Sequence, residues 1–149
     1  DLIPHMLERD LSIKFAYTTM ANLALYAELD DKINALYENG ITFLVPPNQR
    51  FNRAQVDVPK LLTPEMKNYT RDFVLAHLIM DCYYEAGIFA YNTENNQQQF
   101  LVKSELGTHL WITTTENRLR FQSREVLVVD QAARNGYVQV PGTWLYHFH

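Results

Sequence analysis

Between Gly40 and the paired prolines Pro46 and Pro47 lies Ile-Thr-Phe-Leu-Val, a run with one hydroxyl and no charge. Its length, its β-branched content and the breakers at both ends read as a strand, Ile41–Val45. A strand with almost no polar face has to be covered on both sides, so the chain must place a layer of structure against each. The prolines end the ladder because they have no N–H to give it. Asn48 follows at once, positioned to cap a short helix that carries Phe51.

The two halves of the chain differ in texture. Residues 1–77 read as helix: Leu7, Leu11, Phe15, Met20 and Leu23 recur at helical intervals as two short helices. "DDKINALYENG" has acids at its start, Ile33, Leu36 and Tyr37 on one face, and Asn39-Gly40 as a left-handed stop. "VDVPKLLTPEM" reads as a loop leading to a helix start, with Thr63 as N-cap, Pro64 first in the helix and Glu65 at the positive end of its dipole. Met66, Tyr69, Phe73 and His77 trace one face of that helix. Residues 78–149 read as short strands: "LIMDCYY", "QFLVK", "HLWITTT", "RLRFQ", "EVLVVD", "GYVQV" and "TWLYHF". "ENNQQQ" reads as a hairpin tip and "RNG" as a tight turn that uses positive φ. No repeat or internal boundary divides the 149 residues, so residues 1–149 are expected to be one domain. Asp1 is not an initiator methionine, and the domain is expected to be one part of a longer chain.

The charges, 13 Lys+Arg against 17 Asp+Glu, leave a net −4, which removes nucleic acid from the expected partners. No apolar run approaches the length of a membrane span. Cys82, the single cysteine, has no partner for a disulfide or a zinc site. No serine sits in a Gly-x-Ser-x-Gly setting, and no glycine-rich phosphate loop is present. Neither His77 nor Cys82 has a partner at catalytic spacing, so no enzyme activity, metal or cofactor is expected. His147 and His149 share a strand face, but two ligands are too few for a structural zinc.

Three segments carry a resemblance. Ile41–Phe51 resembles a Thr-Val-Phe-Ala-Pro run followed by Thr/Asn-x-x-Phe, a likeness carried by Thr42, Phe43, Pro46, Asn48 and Phe51. In Phe73–Tyr84, His77 takes the place of a central histidine that precedes a strand. In Ala133–Tyr146, Asn135, Gly136, Val138 and Val140 match an Asn-Gly-Val-Ile-His-Val signature. Together, in this order and spacing, they resemble the fasciclin-type (FAS1) domain family over about Leu11 to Tyr146. Ala76 stands where the family usually has tyrosine, Gln139 where it has histidine and Pro141 where it has isoleucine or aspartate, the marks of a divergent branch. Of the Tyr-His pair that the family uses in integrin-dependent adhesion, this chain has only His77.

The resemblance implies an α+β β-wedge: two small sheets with helices from the N-terminal half packed on one side. It implies that the two signature strands are neighbours in the core. His77 itself reads as a core histidine whose ring N–H is bonded to a backbone carbonyl or a side chain, because an unpaired buried ring nitrogen is costly. It also implies a non-enzymatic adhesion or scaffolding domain of a secreted, cell-surface or bacterial-envelope protein, with a protein or glycan partner. For partner contact the residues to watch are Asp57, in a loop, and the aromatic cluster Tyr83, Tyr84, Phe89 and Tyr91. Trp111 reads as core. The alternative is a glycan- or ligand-binding module of a microbial surface lipoprotein, and two or more exposed aromatic rings along a groove would favour it.

Overall fold

A computed structural model of the chain describes residues 18–38, 40–133 and 136–141. Helix α1, Thr18–Tyr26, is followed by α2, Asp30–Glu38, whose first turn holds Asp30 and Asp31 against the positive end of its dipole. Gly40, at φ 96°, turns the chain into β1, Ile41–Leu44. Every residue from Ile41 to Val45 is buried. Val45 lies just past the strand, but its N–H still donates to the Gln139 carbonyl, 2.9 Å away.

Asn48 does not cap the helix it begins. In α3, Asn48–Arg53, the cap position belongs to Pro47, so Asn48 is already the first helical residue. Its side chain serves α1 instead: Oδ1 accepts the Thr19 N–H and Nδ2 donates to the Thr18 hydroxyl, each at 2.8 Å. One backbone N–H at the start of α1 is thus met by a residue about 30 positions away. The stretch read as a loop contains a short helix, α4, Val58–Leu61. Pro64–Met66 is a 3₁₀ turn leading into α5, Lys67–Leu75, and the Thr63 hydroxyl donates to the Lys60 carbonyl rather than capping.

After β2, Leu78–Met80, the largest departure from the sequence reading appears. Cys82-Tyr83-Tyr84, the end of "LIMDCYY", is not strand, and the chain then forms α6, Glu85–Glu94, a helix inside the half read as strands. The buried positions of that helix are Ile88 and Asn92. A buried asparagine hides the helical period, and it is paid for by bonds to the Thr114 hydroxyl, 2.9 Å, and the Gln97 amide, 3.3 Å. "ENNQQQ" is accordingly no hairpin tip: it ends α6 and leads into β3, Gln99–Lys103. Strands β4, His109–Thr113, β5, Arg120–Phe121, β6, Arg124–Ala133, and β7, Gly136–Pro141, complete the described chain. Ala133 pairs with Gly136, and Arg134 and Asn135 of "RNG", read as a tight turn, lie outside the described residues, as do Leu7, Leu11, Phe15 and "TWLYHF".

The strand order is β2-β1-β7-β6-β5-β4-β3, and the long β6 belongs to both ends of it. Its start pairs with β5 and its remainder with β7, with register shifts between Val126 and Gln131 where the ladder bends. The result is the expected α+β wedge of two small sheets. β1 and β7 run parallel, Phe43 opposite Val138. Alternation along β1 divides the core. Ile41, Phe43 and Val45 pack with Leu23, Phe51 and Phe73 under the helices, while Leu44 packs with Ile79, Ile88, Ile112 and Phe121 inside the wedge.

Candidate functional site

The polar residue of the β1 run fixes the segment after β2. The Thr42 hydroxyl donates to the Asp81 carbonyl and accepts the Tyr83 N–H, both at 2.8 Å. The Asp81 N–H donates to the Gly40 carbonyl, 3.1 Å, and Asp81 sits at φ 83°. A left-handed aspartate is tolerated where its surroundings hold it, and here three bonds do so. Gln139, buried on β7, donates its amide to the Tyr83 carbonyl at 3.1 Å. Polar side chains from both signature strands therefore position residues 81–83.

That segment forms one wall of a groove of about 430 Å³, lined by Cys82, Tyr83, Tyr84, Gly87, Ile88, Tyr91, Phe100 and Leu101. Its size falls in the range of about 300–1,000 Å³ usual for ligand clefts. Phe100 is its keystone, with ring centroids 5.0 Å from Tyr91, edge to face, and 5.8 Å from Tyr83. Tyr84 and Tyr91 remain 43% and 49% exposed. The Tyr84 ring lies on the helix itself: a Cβ at Gly87 would come within 2.8 Å of its Cζ. A glycine inside a helix costs about 0.5–1 kcal/mol against alanine, and here it makes the seat for that ring. Burial, then the Asp81 carboxylate, then Tyr91 push the Tyr83 hydroxyl above its usual pKa, so it is a neutral donor at this rim.

Of the aromatic cluster, Tyr83, Tyr84 and Tyr91 line the groove, while Phe89 packs against the core inside the wedge. Gly87, Phe100 and Leu101 were not singled out in the sequence, and only an unexplained helical glycine could have pointed to them. Trp111 is not core: it is 43% exposed on β4, opposite Leu101. Asp57 lies elsewhere, by a hollow of about 330 Å³ that also touches Val56, Lys60, Leu61 and Tyr69. Its carboxylate accepts the Lys60 N–H at 3.1 Å and caps α4.

His77 is wholly buried at the junction of α5 and β2, and its Nδ1 donates to the Phe73 carbonyl at 2.7 Å. Desolvation lowers its pKa from 6.5 to about 4. The folded state therefore takes up its proton later than the unfolded chain as pH falls. Its contribution is complete above pH 6.5 and is lost as pH falls toward 4. At about 1.36 kcal/mol per unit, the loss is about 3 kcal/mol. Urea unfolding across that window should show a steeper acid loss for the parent than for His77→Asn, which cannot titrate. Equal slopes would rule the histidine out as the cause.

Among the described residues no group of three or more His, Cys, Asp or Glu could hold a metal ion, and no helix is long and apolar enough to cross a membrane. The family model for the fasciclin domain matches residues 15–146. Among solved structures, the chain is similar to a FAS1 domain pair from the insect cell adhesion molecule fasciclin I, at 20% identity and TM-score 0.65. That match covers 85% of this chain and 43% of the other, so the chain spans less than half the length of that relative. No curated protein matches the chain.

Proposed function

This chain belongs to the fasciclin domain family, and we propose that it serves as a non-enzymatic adhesion or scaffolding domain in the extracellular space, at a cell surface or in a bacterial envelope, holding a protein partner in the groove beside Tyr84 and Tyr91. The observation that carries the reading is the groove itself. Two half-exposed tyrosine rings stand over an apolar floor, braced by Phe100 and by bonds from both signature strands. Aromatic rings held rigid at a surface lose little entropy on contact and dominate the energy of interfaces. The insect relative is a cell adhesion molecule.

The same two exposed rings favour a second reading, in which the groove stacks a sugar ring and the domain binds a glycan. One experiment tests both. The chain is passed over immobilised extracellular-matrix proteins and, separately, over immobilised oligosaccharides, beside the Tyr84→Ala/Tyr91→Ala variant. Retention on a matrix protein, reduced about tenfold or more in the variant, is the expected result. Retention on oligosaccharides alone with the same dependence would select the glycan reading. Retention that ignores both tyrosines would remove the groove from the function.

A further inference from the structure

The groove exists because two edge strands part. β2 and the chain just after β3 meet at a single antiparallel bridge, Ile79 with Ser104, supported by the Glu105 N–H donating to the Leu78 carbonyl at 2.8 Å. Continued in the same sense, the ladder would zip residues 80–82 along β3. It does not, because the left-handed turn at Asp81 carries the chain away under the hold of Thr42 and Gly40. Among the described residues, Gln99–Lys103 forms a ladder with β4 alone, and the Ile79–Ser104 bridge to β2 closes against only its Lys103 end.

The direction of the β3 backbone follows from its neighbours. The Ser104 N–H donates to Thr108 and the Thr114 N–H to Gln98, at 2.8 and 2.9 Å, so the even-numbered residues face β4. Trp111, opposite Leu101, has both backbone groups turned the other way: its N–H donates to Gln122 Oε1 at 2.9 Å and its carbonyl accepts the Gln122 N–H at 2.7 Å. In an antiparallel ladder the two members of such a pair both point outward. Gln99, Leu101 and Lys103 therefore turn their N–H and C=O groups away from β4, and Leu101 lines the groove.

We propose that the groove takes an extended peptide segment of a partner protein, added as a strand along the outer edge of β3, with an apolar side chain seated against Tyr84, Tyr91 and Ile88. This rests on the reading that the groove is the contact surface. Outward N–H and C=O groups repeating every second residue are met by another extended backbone. A helix has already used its own backbone groups, and a sugar chain does not carry that repeat. The edge is short and carries Lys103, a combination that disfavours sheet-to-sheet pairing of two copies.

The test begins with amide hydrogen exchange in the free chain. The Leu101 amide should exchange fast while those of Phe100 and Val102 are protected; a protected Leu101 would mean the edge is already covered and would overturn the proposal. Short random peptides are then selected by display on the full chain and remade with blocked ends. Binding should slow Leu101 exchange and weaken about tenfold or more when alternate peptide amides are N-methylated, but change little when the intervening ones are. Leu101→Pro removes an outward N–H while sparing the bonds to β4, and it should abolish peptide binding; should that variant misfold, the N-methyl series carries the test. Peptides that need Tyr91 but ignore N-methylation would sink strand addition and leave the groove as the contact surface. Failure to select any peptide, with Tyr84 and Tyr91 still needed for retention on a matrix protein, would do the same. Cello-oligosaccharides that perturb the Leu101 amide where peptides do not would give the groove to a glycan.

Discussion

A chain ending at Ala133 should show no cooperative unfolding transition. The cut removes β7, the strand that joins the two halves of the core. β7 pairs with β1 over Ile41–Leu44 on one side and with β6 on the other. Without it, β1 keeps only three paired positions with β2, and the backbone groups on its other side are left in a wholly buried setting. The Val45 N–H loses the Gln139 carbonyl, and Tyr83 loses the Gln139 amide. Each buried group left unpaired costs about 1–3 kcal/mol, and several together rival the roughly 5–15 kcal/mol that holds a domain folded. Circular dichroism and thermal unfolding of three chains decide the matter: the parent, one ending at Pro141 and one ending at Ala133. The difference between the last two belongs to β7. A cooperative melt of the shortest chain near the parent temperature would contradict the central place of that strand.

That strand pairing was legible because its signals are local. Prolines end β1, its uniform apolarity demands cover on both faces, and the resemblance sets the closing signature beside it. What was not legible depends on partners far along the chain. Asn48 has the right residue type for a cap, but the helix it serves starts about 30 residues earlier. α6 was hidden because its inward face carries Asn92, a polar residue made tolerable only by Thr114 and Gln97. Trp111 reads as core by type, yet alternation along β4 puts Leu110 and Ile112 inside and leaves the indole outside. The groove shows the same division. Its tyrosines could be singled out from the sequence as a cluster. Its shape depends on a hydroxyl at Thr42, an amide at Gln139 and a missing Cβ at Gly87, none of which advertises a groove.

Phe73→Ala should be the most damaging single substitution among those considered, at about 3–5 kcal/mol. Phe73 sits on α5 with no exposed surface, and its ring meets Phe51 edge to face at 6.2 Å and His77 at 4.7 Å. Removing the ring takes away its transfer energy and leaves a void between helices whose positions are fixed by other contacts, so the cavity cannot close fully. Phe73→Leu should cost less, because it returns most of the volume and forfeits only the aromatic geometry, worth about 0.5–1.5 kcal/mol per pair. A second signature separates this account from generic damage. The desolvation that lowers the His77 pKa to about 4 comes from burial, and Phe73 supplies part of that cover. With the ring gone, water reaches the imidazole and its pKa rises toward 6.5. The gap between folded and unfolded values shrinks, so Phe73→Ala should lose less stability than the parent as pH falls from 6.5 toward 4. Urea unfolding of both chains at the two ends of that window measures the cost and the slope together. A cost under about 1 kcal/mol at neutral pH would deny the void, and an unchanged acid slope would show that Phe73 is not what keeps His77 dry.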